Sequence, residues 1–158
     1  MRLIIFLIFI LSASCIQGQI LSLDDIIRIR AMDSIELKIF CSEKGFKLKE
    51  IKEDNWIYSY SYYSPIDNSI WFIRTFPKDT TANRFVYYYF TDNKTRREFR
   101  KQMKNLEFKF KRTDIKDYGG NKFTHNIYLT KDNEIDLATE KLIGQKTKYT
   151  LLYYRRVN

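Results

Sequence analysis

Several residue types are scarce in this chain of 158 residues, which has two cysteines, two prolines, five glycines and one histidine. Zinc sites need clustered cysteine and histidine side chains, so we expect no metal site and no other cofactor. The sequence also has no glycine-rich loop of the kind that holds phosphate groups. Two cysteines, Cys15 and Cys41, cannot form the framework of a small disulfide-rich protein, so packing must supply the stability.

The amino terminus has the pattern of a secretory signal. Arg2 supplies positive charge, residues 3–11 are apolar, and small residues follow from Ser12. A membrane-spanning helix needs about 20 apolar residues, roughly twice the length of this run. We predict a signal peptide over residues 1–18, cleaved after Gly18. The mature protein is then periplasmic or extracellular and has no transmembrane span.

A lipoprotein signal is the alternative interpretation of the same segment. Cys15 follows Ala13 and Ser14, as a lipid-bearing cysteine would, but Ser12 stands where such signals prefer leucine. An acyl chain on Cys15 would tether the protein to a membrane. We favour the soluble form, in which Cys15 is removed with the signal.

Lysine and arginine outnumber aspartate and glutamate by 28 to 19, which gives a formal net charge of +9. Such an excess favours solubility and attraction to anionic partners, and it says nothing about the fold. Nucleic acid is one anionic partner, but an exported protein rarely meets it. We therefore predict no nucleic-acid binding.

The first half of the mature chain reads as helix followed by strands. Two helix starts have capping-box spacing, Ser22 with Asp25 and Asp33 with Glu36. Gly45 follows them and is typical of a helix end. We predict two short helices in 22–44, or one helix with a break near Asp33, with Ile35, Ile39 and Phe40 as apolar positions of the second part. Alternating or β-rich runs then predict strands near 46–48, 56–63, 70–76 and 85–90.

The second half repeats this order. A helix is predicted from Asp92, with Phe99, Met103 and Leu106 on its apolar stripe, and strands are predicted near 108–110, 123–129, 135–139 and 149–154. The first strands of the two halves are offset by 62 residues (46 to 108), and the last strands by 64 (85 to 149). We predict an α+β fold in which a unit of helix and four antiparallel strands occurs twice. Residues 19–158 form one domain, its halves are 22–90 and 91–156, and the helices lie on one face of the sheet.

This layout resembles the tandem-repeat architecture of the β-lactamase inhibitor protein fold, and it is similar to small exported proteins of Bacteroidetes-type bacteria. The segments that carry the resemblance are Leu21-Ser22-Leu23-Asp24-Asp25 and Lys44-Gly45-Phe46. The chain departs from the inhibitor family in having no paired cysteines, and no inhibitory motif can be transferred to it. The resemblance implies a binding scaffold and names no ligand.

Catalytic candidates are few. His125 alternates with Phe123, Ile127 and Leu129, so we predict an apolar strand face and a core histidine. Cys41 is predicted to be a small buried hydrophobe near a helix end. A thiolate–imidazolium pair of Cys41 with His125 is the one dyad that the composition allows, and no motif surrounds either residue. We predict no catalytic residues and no enzyme.

Two groups of side chains are candidates for binding. The first is basic and spans a helix and the strand after it: Arg96, Arg97, Arg100, Lys101, Lys104, Lys109 and Lys111. Residues three and four apart share a helix face, so this group would attract anionic groups or an acidic protein, although a solvated helix exterior looks the same. The second is aromatic and suits recognition or a core: Trp56, Tyr58, Tyr60, Tyr62, Trp71, Tyr87, Tyr88 and Tyr89.

The sequence therefore favours an exported, non-enzymatic binding or interaction protein. An immunity or inhibitor protein for a toxin or enzyme is the sharper form of that prediction. The alternative is an envelope component that binds anionic glycans or lipid headgroups.

Overall fold

The computed structural model describes residues 20–55, 57–67, 70–77, 85–118, 121–141 and 144–155. The predicted signal peptide, Cys15 and Trp56 lie outside the described residues. Within them the chain forms three helices and eight strands: α1 (Leu23–Ala31), α2 (Ser34–Glu43), β1 (Lys47–Glu53), β2 (Ile57–Tyr63), β3 (Trp71–Pro77), β4 (Phe85–Phe90), α3 (Asn93–Asn105), β5 (Lys109–Tyr118), β6 (Asn121–Leu129), β7 (Asn133–Lys141) and β8 (Lys148–Arg155).

The eight strands form a single antiparallel sheet in the order β1-β2-β3-β4-β8-β7-β6-β5. Consecutive strands pair within each half, and β4 joins β8 at the centre with Phe85 opposite Tyr154 and Phe90 opposite Tyr149. The first strand of each half, β1 or β5, therefore lies at an edge. The predicted α+β class with an antiparallel sheet is confirmed.

Both helices of the first half begin where the sequence predicts. The Ser22 side chain accepts a hydrogen bond from the Asp25 backbone, and the Asp25 carboxylate accepts one from the Ser22 backbone. Asp33 and Glu36 make the same reciprocal pair at the start of α2. Each pair satisfies backbone N–H groups that a helix leaves without partners at its first turn. The break near Asp33 is confirmed.

The two helices that lead into edge strands end in the same way. After α2, Gly45 has φ of 76°, and the Phe46 N–H donates to the Cys41 carbonyl at 2.8 Å. After α3, Glu107 has φ of 60°, and the Phe108 N–H donates to the Met103 carbonyl at 2.9 Å. This is the glycine-type helix end, and at the second site a glutamate adopts the left-handed conformation instead.

An irregularity follows each of these helix ends. The register of β1 against β2 shifts between Leu48 and Glu50, and that of β5 against β6 shifts between Phe110 and Arg112. The two shifts are 62 residues apart (110 − 48), as are the two left-handed residues (107 − 45). A bulge at an edge strand interrupts its ladder and hinders unwanted pairing with other chains.

The hydrophobic core joins side chains of all three helices with alternate residues of the strands. On the helices it contains Leu23, Ile26, Ile29, Leu37, Phe40, Cys41, Phe99 and Met103, and on the central strands Val86, Tyr88, Phe90, Tyr149, Leu151 and Tyr153. Successive strand residues point to opposite faces. We call the face that holds these strand residues the core face and the opposite one the outer face.

A charged residue is buried on the core face. Arg74 of β3 is completely buried, and its Nε and one Nη donate to the carbonyls of Ile29 at 3.0 Å and Arg30 at 2.6 Å. Its guanidinium also lies 4.4 Å from the ring centroid of Phe76. The last carbonyls of a helix have no partners within it, and they carry the negative end of the helix dipole. Arg74 thus holds the end of α1 against β3.

The apolar face of α2 differs from the prediction. Phe40 is buried as predicted, but Ile35 and Ile39 are 69% and 56% exposed. Leu37 and Cys41 join Phe40 in the core instead. Ile35 and Ile39 are four residues apart and so share a helix face, which is not the face that meets the core.

Candidate binding surfaces

Aromatic side chains form a row on the outer face at the centre of the sheet. Trp71 of β3 pairs with Tyr89 of β4, and their rings stack with centroids 3.6 Å apart and planes 9° apart. The row continues along β4, since Tyr89 and Tyr87 lie 6.3 Å apart and Tyr87 and Phe85 lie 5.1 Å apart. All four are half-buried. Contacts between the rings hold the row in place, and each ring keeps part of its surface exposed for contact with a partner.

A depression of about 380 Å³ lies on the outer face beside this row. Its lining includes Trp71, Phe85 and Tyr87 at one side, smaller side chains such as Ser59 and Ser61, and lysines of the edge strand β1. At this volume the depression could accept a side chain of a partner.

Carboxylates lie on the outer face of β7. Glu134, Asp136 and Glu140 share that face with Ala138 and are half-buried. The Tyr154 hydroxyl of β8 donates a hydrogen bond to Glu134. Burial raises the pKa of Asp136, although its hydrogen bond with His125 acts in the opposite direction. Lys148 of β8 lies opposite Glu140, so this part of the outer face carries charges of both signs.

His125 is on the outer face of β6, so its prediction as a core histidine is wrong. Its side chain is 24% exposed, and Nδ1 lies 2.8 Å from Oδ2 of Asp136. The alternation with Ile127 is as predicted, but the apolar set of β6 faces away from the core cluster. The alternation alone does not show which face of β6 meets the core, because that depends on the register of the strand in the sheet.

Cys41 is buried as predicted, with 1% exposure. Burial raises the pKa of its thiol to about 12, so the thiolate is strongly disfavoured. Cys41 belongs to the core cluster, whereas His125 is on the outer face. The structure does not bring the two residues together as a dyad.

The predicted aromatic group divides between the two faces. Tyr62 is 2% exposed and stacks on Phe72 in the core, and Tyr60 packs against the same core. Tyr58 shares their face and is 37% exposed. Tyr88 is completely buried in the core, whereas Trp71, Tyr87 and Tyr89 are on the outer face, where Trp71 stacks on Tyr89.

The predicted basic group is partly assembled around a groove of about 960 Å³ at the end of α3. Lys104, Lys109 and Lys111 line it, together with Lys131 from the turn between β6 and β7. Exposed apolar side chains of Leu106 and Phe110, and the acidic Glu107 and Asp132, also line it. The groove therefore combines cationic and apolar groups.

The remaining basic residues lie along α3 and outside the groove. Arg97, Arg100 and Lys101 are exposed, as predicted for a basic helix face. Arg96 is half-buried, and its guanidinium lies 5.4 Å from the ring centroid of Tyr149. Arg96 therefore packs against Tyr149 of β8, whereas Arg97, Arg100 and Lys101 are exposed to solvent.

Sequence reasoning missed the outer-face pattern on β4 and β7. The run Phe85 to Phe90 is apolar or aromatic at every position, so period-2 alternation does not separate Tyr87 and Tyr89 from the core. In β7 the signal was present, because acidic residues alternate with Ile135 and Leu137. That alternation predicts a strand with one polar face.

Three comparisons with known proteins bear on this molecule. The chain matches no protein-family model, no curated protein and no solved structure. In the described ranges no helix is long and apolar enough to cross a membrane. No group of three or more His, Cys, Asp and Glu side chains within them is arranged to hold a metal ion.

Proposed function

We propose that this chain is an exported, non-enzymatic binding protein that docks a partner protein on the outer face of its sheet. The carrying observation is the half-buried row of Trp71, Tyr89, Tyr87 and Phe85, which stack on one another beside an accessible depression. Tyrosine and tryptophan offer large, rigid contact surfaces with polar groups at the rim, which suits protein recognition.

Export is part of the proposal and rests on the first 18 residues. Arg2 followed by the apolar residues 3–11 favours a cleaved signal, and lipidation at Cys15 is the alternative. In the periplasm or outside the cell, an immunity or inhibitor protein for a toxin or enzyme is the sharper form of this function. The resemblance to the β-lactamase inhibitor protein fold favours that form.

We also infer a duplicated architecture with the helices on the core face. The same left-handed helix end and the same bulge recur at a spacing of 62 residues, and the strand order is symmetric about β4 and β8. Core side chains recur at that spacing too, since Leu37, Cys41 and Phe46 correspond to Phe99, Met103 and Phe108. Side chains of all three helices pack in one cluster with the core-face residues of the strands. This packing supports the inference that the helices lie on that face.

A second candidate function is an envelope component that binds anionic glycans or lipid headgroups. The groove with Lys104, Lys109, Lys111 and Lys131 favours it, because exposed Leu106 and Phe110 would contact the apolar part of a lipid. Affinity would then fall steeply with salt, since exposed charges are screened within about 8 Å at physiological ionic strength.

Affinity capture from an envelope extract separates these functions. The bait is the wild type, an outer-face variant (Tyr87→Ser with Tyr89→Ser) or a basic-helix variant (Arg97→Glu, Arg100→Glu and Lys104→Glu). We expect saturable capture of one protein by the wild type and the basic-helix variant, and about tenfold less by the outer-face variant.

Thermal unfolding verifies that each bait is folded. Equal capture by all three baits, or no saturable protein partner, would contradict the proposal. Loss of binding in the basic-helix variant alone, with strong salt dependence, would establish the second candidate instead.

A further inference from the structure

The two edges of the sheet differ in the length of regular strand that they offer. β5 ends the sheet on one side and β1 ends it on the other. After its bulge β5 continues in unbroken register for seven residues, Arg112 to Tyr118, whereas β1 continues for only four, Glu50 to Glu53. The outward backbone N–H and C=O groups of an edge strand pair with no other strand of its sheet. β5 therefore offers the longer ladder to a further strand.

An exposed apolar side chain lies at the midpoint of this segment of β5. Ile115 is the central residue of 112–118 and is 60% exposed. It is on the core face, because the register aligns it with Thr124, Thr139 and Tyr149 on successive strands. A β-branched side chain suits a strand that has neighbours on both sides, and Ile115 has one on one side only.

Charges of opposite sign flank Ile115 on the outer face. Asp114 precedes it and Lys116 follows it, so an acidic and a basic group are equally far from the midpoint. Arg112 of the same strand contacts the Asp114 carboxylate at 2.9 Å, but a carboxylate can accept hydrogen bonds from more than one cation. An edge of lysines alone would repel a second copy of itself, whereas this pattern is complementary to itself.

Antiparallel pairing of the segment with a second copy brings these groups together. A two-fold axis normal to the sheet at Ile115 places residues equally far before and after it opposite each other. Ile115 then contacts Ile115 of the second copy on the core face. Each Asp114 lies opposite a Lys116 on the outer face, which gives two ion pairs across the axis. All seven residues of the regular segment take part.

We propose that this chain forms a homodimer in which residues 112–118 of β5 pair antiparallel with the same residues of a second copy, centred on Ile115. Dimers that use the same patch on both copies are the commonest oligomers of soluble proteins. The bulge between Phe110 and Arg112 limits the pairing, because it interrupts the ladder there. Three strands separate β5 from the aromatic row on β4, so the inference holds whatever partner that row binds.

Cysteine cross-linking tests the register of this pairing. Directly opposite residues of an antiparallel pair have Cα atoms about 4.5–5.5 Å apart, which a disulfide can span. Ile115→Cys should therefore form a disulfide-linked dimer with oxidised glutathione as the oxidant. Thr113→Cys is the matched control on the same exposed strand, since its two copies would be offset by four residues, or roughly 14 Å. Cys41 is buried and should stay reduced in both variants.

Sedimentation equilibrium of the mature protein, purified from producing cells, measures the strength of the pairing. We expect a wild-type dissociation constant at or below about 100 µM. Asp114→Lys or Lys116→Asp should each weaken dimerisation about tenfold or more, because each places like charges opposite each other at two positions. The double variant restores opposite charges and should dimerise within about fivefold of the wild type. Glu50→Lys on β1 is the control and should change the constant less than about threefold.

Thermal unfolding verifies that each variant is folded. A wild-type protein that stays monomeric up to about 1 mM, or equal dimerisation of the wild type and Asp114→Lys, would overturn the inference. A disulfide-linked dimer from Thr113→Cys and none from Ile115→Cys would overturn it as well. Loss of dimerisation in Glu50→Lys alone would assign the contact to β1 and likewise contradict it.

Discussion

Tyr87 and Tyr88 are adjacent in β4 and show what distinguishes the two faces of the sheet. Tyr88 is completely buried, contacts Phe99 of α3 and accepts a hydrogen bond from the Leu21 N–H at 3.3 Å. Tyr87 is half-buried and touches other aromatic rings of the outer face. The same residue type therefore stabilises the fold at one position and provides contact surface at the next. We expect substitutions to separate these roles.

The largest effect is expected from truncating these two tyrosines. Tyr88→Ala should lower the free energy of unfolding by about 4 kcal/mol, because it leaves a cavity in the core and removes a partner of Leu21. Tyr87→Ala should cost about 1 kcal/mol, because its ring is already half in water. Urea denaturation measures both. Equal losses would show that the two faces do not differ in this way.

Substitution of Arg74, the charged residue buried on the core face, tests how that face is stabilised. Arg74→Leu should destabilise the protein by about 3 kcal/mol, because the carbonyls of Ile29 and Arg30 lose charged donors in a buried site. Arg74→Lys should lose less, since an ammonium can still donate to one carbonyl. Urea denaturation of the two variants measures the difference. A leucine variant as stable as the wild type would mean that Arg74 does not hold α1 to the sheet.

Substitutions at the two helix ends should give the smallest changes in the free energy of unfolding, and these two changes should have opposite signs. Gly45→Ala should destabilise by about 1 kcal/mol, because an alanine at a positive φ is strained. Glu107→Gly should stabilise by up to about 1 kcal/mol, because glycine relieves the left-handed strain at that site. Thermal and urea unfolding measure both. Effects of the same sign would contradict the correspondence between the two helix ends.

Local patterns predicted much of the fold. Capping pairs at Ser22 and Asp33 and the glycine at 45 located the helices of the first half, since such signals act within a few residues. Alternation located the strands, and the antiparallel order followed from their short connections. The left-handed Glu107 had no such signal, because only tertiary packing forces a glutamate into that conformation.

The candidate surfaces were harder to predict, because they depend on which face of each strand meets the helices. A run such as Phe85 to Phe90 is compatible with either register, and His125 was assigned to the wrong face for the same reason. Arg74 was missed because its partners, Ile29 and Arg30, are more than 40 residues away in the chain. Long-range packing of this kind leaves no local pattern.

Site-specific photo-crosslinking in the intact cell tests the division between the two faces most directly. A benzophenone amino acid replaces Tyr89 on the outer face in one strain and Lys101 on the exposed side of α3 in another. The account predicts one discrete protein adduct from position 89 and none of comparable yield from position 101. Protein adducts only from position 101, or from neither position, would contradict it.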